Sequence, residues 1–273
     1  MASIEDIKKL REMTGAGLGD CKKALAEAND NMEEAIEIIR KRGQAVAAKR
    51  SDREAAEGCV LCKVENGFGA IVALKCETDF VAKNADFVKL AQDILDAAVA
   101  NHCKTLDEVN ALKLGDRTVA EAITDRSGIT GEKMELDGYS FIEHDNISCY
   151  NHQNKNFLCT MVALNKPVDE KYGHAVAMQI AAMNPVSIDE TDVPEEIRKR
   201  EYQIAADKAR EEGKPENMIE RIADGRMKKF YKEQCLLQQE FIQDSNLTVA
   251  AYLKQADKDC TVVAFSRFTL HAE

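Results

Sequence analysis

An Asn66-Gly67 pair stands between two apolar runs, Cys59-Val60-Leu61-Cys62-Lys63-Val64 and Ala70-Ile71-Val72-Ala73-Leu74-Lys75-Cys76, and few folds accept that arrangement. Asn and Gly tolerate the left-handed backbone of a two-residue hairpin turn, so the segment Glu65-Asn66-Gly67-Phe68-Gly69 predicts two antiparallel strands. Upstream of Cys59 the apolar residues recur instead at steps of three and four, as on a helix face. A chain whose hydrophobic period changes in this way has to be α+β, with helices and sheets built from separate stretches.

The helical stretch comes first. Ser3 and Asp6 form a capping-box-like pair ahead of Ile7, Leu10 and Met13, and Gly15, Gly17 and Gly19 supply a turn. Leu18, Cys21, Leu25 and Ala28 outline a second helix, and Asn29-Asp30-Asn31 interrupts it. Asp30 with Glu33 opens a third helix through Met32, Ala35, Ile36 and Ile39, with Gly43 placed as its terminating residue. Residues 1–43 thus predict a three-helix module resembling ubiquitin-associated (UBA) domains. Residues 44–57 follow as a basic linker or exposed helix.

Past the hairpin, Phe87, Leu90, Ala91, Ile94, Leu95, Ala98 and Val99 mark an amphipathic helix. A second unit of the same kind follows. Residues 148–151 and 157–164 bracket His152-Gln153-Asn154-Lys155-Asn156, and a helix is expected from about Glu170. The strand ends Val72-Ala73-Leu74-Lys75 and Val162-Ala163-Leu164-Asn165 match, which points to a duplicated hairpin-plus-helix subdomain. The core therefore divides into residues 58–140 and 141–273. Within the second part, about 194–237 reads as two helices turned back by Gly213-Lys214-Pro215, a projecting antiparallel coiled coil. Ile197, Ile204 and Ala205 are expected to face Met218, Ile219, Ile222, Met227 and Phe230. Residues 261–270 alternate as a closing strand that either sheet can accept.

Charge and cysteine content narrow the function. The formal net charge of −11 argues against nucleic acid as a direct partner, although residues 1–53 carry 11 Lys/Arg against 10 Asp/Glu and leave −12 on the remainder. Nine cysteines without a small-scaffold pattern, and no signal-peptide or transit-peptide character at the N-terminus, lead us to expect reduced thiols in the cytoplasm. No apolar run approaches the ~18 residues that span a bilayer, so no membrane role is expected.

Enzyme chemistry finds little support. Cys59 and Cys62 lie three apart on a strand and point to opposite faces, which suits neither a metal nor a disulfide. Cys149 and His152 lack a second ligand pair, and no phosphate loop or dinucleotide fingerprint occurs. Gly15-Ala16-Gly17-Leu18-Gly19 follows a helix where a nucleotide loop would follow a strand. No catalytic residue, metal site or cofactor is assigned. The segment that stands out is Thr78-Asp79-Phe80-Val81, directly after a strand. On spacing it is a helix N-cap followed by a core Phe; if the ring is exposed, it is an apolar wedge beside a carboxylate. Three rival readings remain: a ubiquitin- or peptide-binding adaptor, a thiol enzyme, and a nucleic-acid contact through the charges between 40 and 53.

These segments together resemble the elongation factor Ts family. Leu10-Arg11-Glu12-Met13-Thr14-Gly15-Ala16-Gly17 with Asp20-Cys21-Lys22-Lys23-Ala24-Leu25 is similar to one family signature. Cys76-Glu77-Thr78-Asp79-Phe80-Val81-Ala82-Lys83 is similar to the second. Residues 175–182 and Gly225-Arg226-Met227-Lys228-Lys229-Phe230 match further stretches. The resemblance implies a non-enzymatic factor that binds the GTPase elongation factor Tu, in a complex for which a 2:2 stoichiometry is one expectation, and that speeds release of GDP. It also implies that Thr78, Asp79, Phe80 and Val81 disturb the partner's Mg²⁺ and phosphate site, and that Lys22, Met134 and His152 make further contacts. Residues 128–139 depart from the family, which has two arginines where Asp137-Gly138 stands.

Overall fold

The computed structural model describes residues 3–270, which form two compact units. The first comprises residues 3–63, 70–140 and 268–270; the second comprises Val64–Gly69 and Phe141–Arg267.

In the first unit, helices α1 (Ile4–Thr14), α2 (Leu18–Glu27) and α3 (Met32–Lys49) make the head. The predicted capping box forms: Ser3 Oγ accepts from the Asp6 amide at 3.0 Å, and Asp6 returns the bond to the Ser3 amide at 3.2 Å. Leu10, Cys21, Ala24, Leu25 and Ala35 close a small core, in which Leu10 and Leu25 each contribute about 1.5–3 kcal/mol of burial. Two local expectations shift. Asn31 caps α3, where Asp30 was expected, its side chain accepting from the Glu34 amide. Gly43 does not terminate α3, which continues to Lys49. It lies instead at a close crossing with the later helix that carries Gly128. A Cβ built on Gly128 would lie 2.1 Å from the Gly43 Cα, whereas one on Gly43 would come no nearer than 3.4 Å to Gly128, so it is Gly128 that the crossing requires as glycine.

Strands β1 (Glu57–Glu65) and β2 (Phe68–Cys76) join through Asn66 and Gly67, at φ 50° and 77°. Both turn residues are left-handed, as the hairpin reading requires. A short helix α4 (Asp79–Ala82) leads to α5 (Ala85–Ala100), which buries Phe87, Ala91, Ile94, Leu95, Ala98 and Val99, as its period predicts. Helix α6 (Leu106–Ala111), the two-residue strands β3 (Lys113–Leu114) and β4 (Arg117–Thr118), and α7 (Val119–Thr130) follow. Strand β5 (Met134–Glu143) then completes a sheet ordered β1-β2-β5. Its central strand β2 is buried almost throughout.

The second unit repeats the plan. Strands β6 (Ile147–Asn151) and β7 (Leu158–Leu164) pair antiparallel, and β10 (Val262–Thr269) adds on the other side of β7, giving the order β10-β7-β6. The closing strand thus joins the second sheet. The matched motifs Val72-Ala73-Leu74 and Val162-Ala163-Leu164 are the central strands of the two sheets, where burial from both sides demands uninterrupted apolar sequence. Helix α8 (Glu170–Met183) covers β7, burying Val176, Ala177 and Ile180. The hairpin consists of α9 (Glu195–Glu211) and α10 (Glu216–Gln234). Its seam is made of Ala205, Ala206, Ala209, Ile219 and Ala223, while Ile204 and Met218 are exposed. Of the expected residues, Ala205 and Ile219 lie in the seam, Ile222 packs against it and Met227 is buried, and further alanines complete it and let the helices approach closely. Strands β8 (Glu240–Phe241) and β9 (Asp244–Thr248) and helix α11 (Val249–Leu253) precede β10.

Candidate functional site

Thr78 ends the extended backbone of β2 and caps α4, its Oγ1 accepting from the Val81 amide at 3.4 Å. That half of the spacing argument holds. The other half does not: Phe80 is 85% exposed and takes no part in the core. A single helical turn between β2 and α5 leaves the ring with no apolar surface to fold onto. Asp79 beside it ion-pairs with Lys83 one turn on, at 2.6 Å, and this hydrogen bond holds the Asp79 carboxyl below the usual aspartate range. At neutral pH the turn thus presents an apolar ring next to a carboxylate that is already charged.

The base of this turn is fixed more firmly than its tip. Glu132 Oε2 accepts from the amides of Glu77 and Thr78 at 3.2 and 3.1 Å, and its Oε1 accepts from the Thr78 hydroxyl at 2.6 Å. Glu77 reaches back to accept from the Lys133 amide at 2.7 Å and pairs with Arg50, just past α3, at 3.2 Å. The Cys76 thiol donates to the Thr78 carbonyl at 3.3 Å. Sequence reasoning did not find Glu132, Glu77 or Arg50 in this role, because their partners lie 27 to 56 residues away. The Asp79–Lys83 spacing of four within a helix-forming stretch was a readable signal.

The other expected contact residues are dispersed. Lys22 is exposed on α2. Met134 opens β5 and is buried, so it offers little side-chain surface. His152, in the second unit, begins a 3-10 turn between β6 and β7. The Tyr150 hydroxyl lies 3.2 Å from His152 Nδ1, and Phe157 packs edge-on against the His152 ring. Gln153, Asn154 and Asn156 all take positive φ, and the Asn151 side chain bonds Asn156 twice, so this loop is preformed.

Other features give chemistry less to work with. All nine cysteines are thiols; burial pushes Cys59 and Cys76 up to about 12 and leaves them protonated at neutral pH. Among the described residues no cluster of His, Cys, Asp and Glu is arranged to hold a metal ion. No helix of the described chain is long and apolar enough to cross a membrane. A cleft of about 630 Å³ between the head and α7 is lined by Met13, Ile36, Ile39 and three arginines, Arg40, Arg42 and Arg117. Each of those arginines already pairs with a carboxylate: Glu37, Glu27 and Asp125 respectively.

Comparison with known proteins agrees with this architecture. Over 99% of both chains, the sequence is 53% identical to an elongation factor Ts of Bacteroides fragilis and 55% identical to one of Porphyromonas gingivalis. The corresponding protein of Azobacteroides pseudotrichonymphae is 47% identical over 98% of each chain. A three-helix head, two related sheet subdomains and a helical hairpin, with relatives of this kind, are those of a translation elongation factor. The family model described as elongation factor TS matches residues 77–272, beginning one residue before Thr78. The chain belongs to the elongation factor Ts family.

Proposed function

We propose that this chain is the exchange factor of the GTPase elongation factor Tu, binding it and promoting release of GDP without covalent chemistry. The observation that carries the reading is the 85% exposure of Phe80 on a turn whose base is pinned by hydrogen bonds. Exposing a large ring to water is unfavourable, and holding it in one place is of use only if a partner receives it.

The mechanism is linkage. A factor that binds the nucleotide-free GTPase more tightly than the loaded form weakens nucleotide binding by the same factor. Entry of the Phe80 ring near the Mg²⁺ and phosphate site, with the Asp79 carboxylate beside it, introduces apolar bulk and negative charge where the GTPase holds a cation and an anion. Both disfavour the loaded state. Asp79 needs no proton loss to act: an aspartate of ordinary pKa is ionised at neutral pH, and the Lys83 hydrogen bond lowers its pKa further. Lys22 on the head and His152 in the second unit supply binding contacts that need not distinguish the two states.

The test mixes the protein with elongation factor Tu carrying a fluorescent GDP analogue and chases with unlabelled GDP. Signal decay that accelerates with added factor supports the reading. Decay that does not change with a matched partner rejects it and brings forward the peptide-binding reading of the head.

A further inference from the structure

We propose that Glu132 is the positioning residue of the exchange turn: its carboxylate clasps the base of α4 and sets the direction in which Phe80 points. The proposal rests on the exchange reading above and adds to it a residue 52 positions from the ring.

The geometry begins at the end of α7. Gly131 takes the left-handed conformation at φ 75° and turns the chain out of the helix. The Glu132 backbone is then held on both sides. Its amide donates to Thr130 Oγ1 at 3.3 Å, and its carbonyl accepts from Ser127 Oγ, a hydroxyl on a residue only 2% exposed, at 2.5 Å. So anchored, the side chain delivers both oxygens to the segment that leads into α4. Oε2 accepts from the two successive amides of Glu77 and Thr78, just past the end of strand β2. Oε1 takes the Thr78 hydroxyl proton. That last bond has a second effect. With its proton committed to Glu132, Thr78 Oγ1 keeps its lone pairs for the Val81 amide, and the N-cap of α4 is oriented. Glu77, facing the other way, accepts from the Lys133 amide and from Arg50. The two carboxylates thus bind reciprocally across the gap between the β2–α4 and α7–β5 connections.

A four-residue helix with no buried residue has no packing of its own to hold it. Three hydrogen bonds converge on the one Glu132 side chain at the root of the turn, and their convergent geometry fixes the turn's direction. Removing them frees the direction of α4 while leaving the ring, the Asp79–Lys83 pair and the β2 core in place. Glu132 touches neither nucleotide nor metal in this scheme; it acts through Phe80.

The experiment compares Glu132→Ala, Glu132→Asp and Glu132→Gln in the full-length chain. Gln keeps one oxygen for the two amides and can donate its amide hydrogen to Thr78 Oγ1, so the clasp survives. Asp is one methylene short of closing it. Hydrogen–deuterium exchange over residues 77–83 of the free protein is read first. Protection should fall at least tenfold in Glu132→Ala, fall partly in Glu132→Asp and stay within twofold of wild type in Glu132→Gln. The maximal GDP-release rate with elongation factor Tu should fall in the same order, about tenfold for Ala, with the half-saturating concentration changed less than threefold. On a Phe80→Ala background, Glu132→Ala should cost less than a further twofold. Unchanged protection, or an equal loss of rate with and without Phe80, overturns the assignment. Should Glu132→Ala fail to fold, the contrast between Asp and Gln decides it: equal rates overturn it. A wild-type protein that does not release GDP sinks the exchange reading, while the protection data still decide whether the clasp exists.

Discussion

At the scale of single residues, the two side chains that matter most are distinguished by exposure. Phe80 stands in water, so Phe80→Ala should leave the folded state intact, with the melting temperature unchanged within about 2 °C, and slow GDP release at least tenfold. Wild-type exchange kinetics in that variant would remove the ring from the mechanism. Cys59 and Cys76 are the opposite case, fully buried thiols pushed up to about 12. An unfolded thiol releases its proton near its ordinary value of 9.0, while the folded chain keeps it to about 12. The folded state therefore binds more protons across that window. Stability should hold below about pH 9 and decline as pH rises toward 12, read as a falling urea midpoint. In the native protein at pH 8, half-buried Cys62 and Cys149 should alkylate well before Cys59 or Cys76. Rapid labelling of Cys59 or Cys76 would revive the thiol-enzyme alternative. Thr78 as an N-cap was legible in the sequence, because a cap depends on neighbours three residues away. The exposure of Phe80 was not, since spacing cannot say whether a core lies under a helix face. Glu132 was invisible for the same kind of reason: what it binds is fixed by tertiary structure alone.

At the scale of elements, the informative positions are glycines with opposite surroundings. Gly128 of α7 meets Gly43 of α3 backbone to backbone, and an added methyl would lie 2.1 Å from the Gly43 Cα. Gly128→Ala should destabilise the first unit by about 1–3 kcal/mol or more, as overpacking does, and loosen the head. Gly225 of α10 has nothing within 4 Å of its missing Cβ, so Gly225→Ala should stabilise by about 0.5–1 kcal/mol through helix propensity. Denaturant unfolding of the two variants checks both signs, and a neutral Gly128→Ala would contradict the close crossing. The same pair explains where the helix reading went wrong. Gly43 follows an apolar helical run, yet α3 continues through it to Lys49 with Gly128 packed against it. Sequence period gave α5 nearly residue for residue, and the Asn66-Gly67 turn with its two left-handed residues. In the α9–α10 seam it placed Ala205, Ile219, Ile222 and Met227, and missed Ala206, Ala209 and Ala223, because alanine carries little hydrophobic signal yet permits close packing.

At the scale of the whole molecule, the question is how much one wedge can do. Weakening a nucleotide by 10⁴ requires about 5.5 kcal/mol of differential binding between the two states of the partner. One Phe ring supplies roughly 1.5–3 kcal/mol when buried. The ring therefore needs a factor already held in place by surfaces that do not discriminate, and exposed Lys22 on the head is a candidate for such a surface. This division has a kinetic signature. Lys22→Ala should raise the factor concentration giving half-maximal GDP release about three- to tenfold, while the maximal rate stays within twofold. Phe80→Ala should do the reverse. Because the two act on different steps, the double variant should show both defects at the size of each single one. A contact made only in the transition state for GDP release would behave differently. If Lys22→Ala lowers the maximal rate as far as Phe80→Ala does, and the double variant is no worse than either, head and turn form one cooperative lever. The arithmetic would then have to be assigned to the pair, with Arg50 and Glu77 as the bonds that join α3 to the turn.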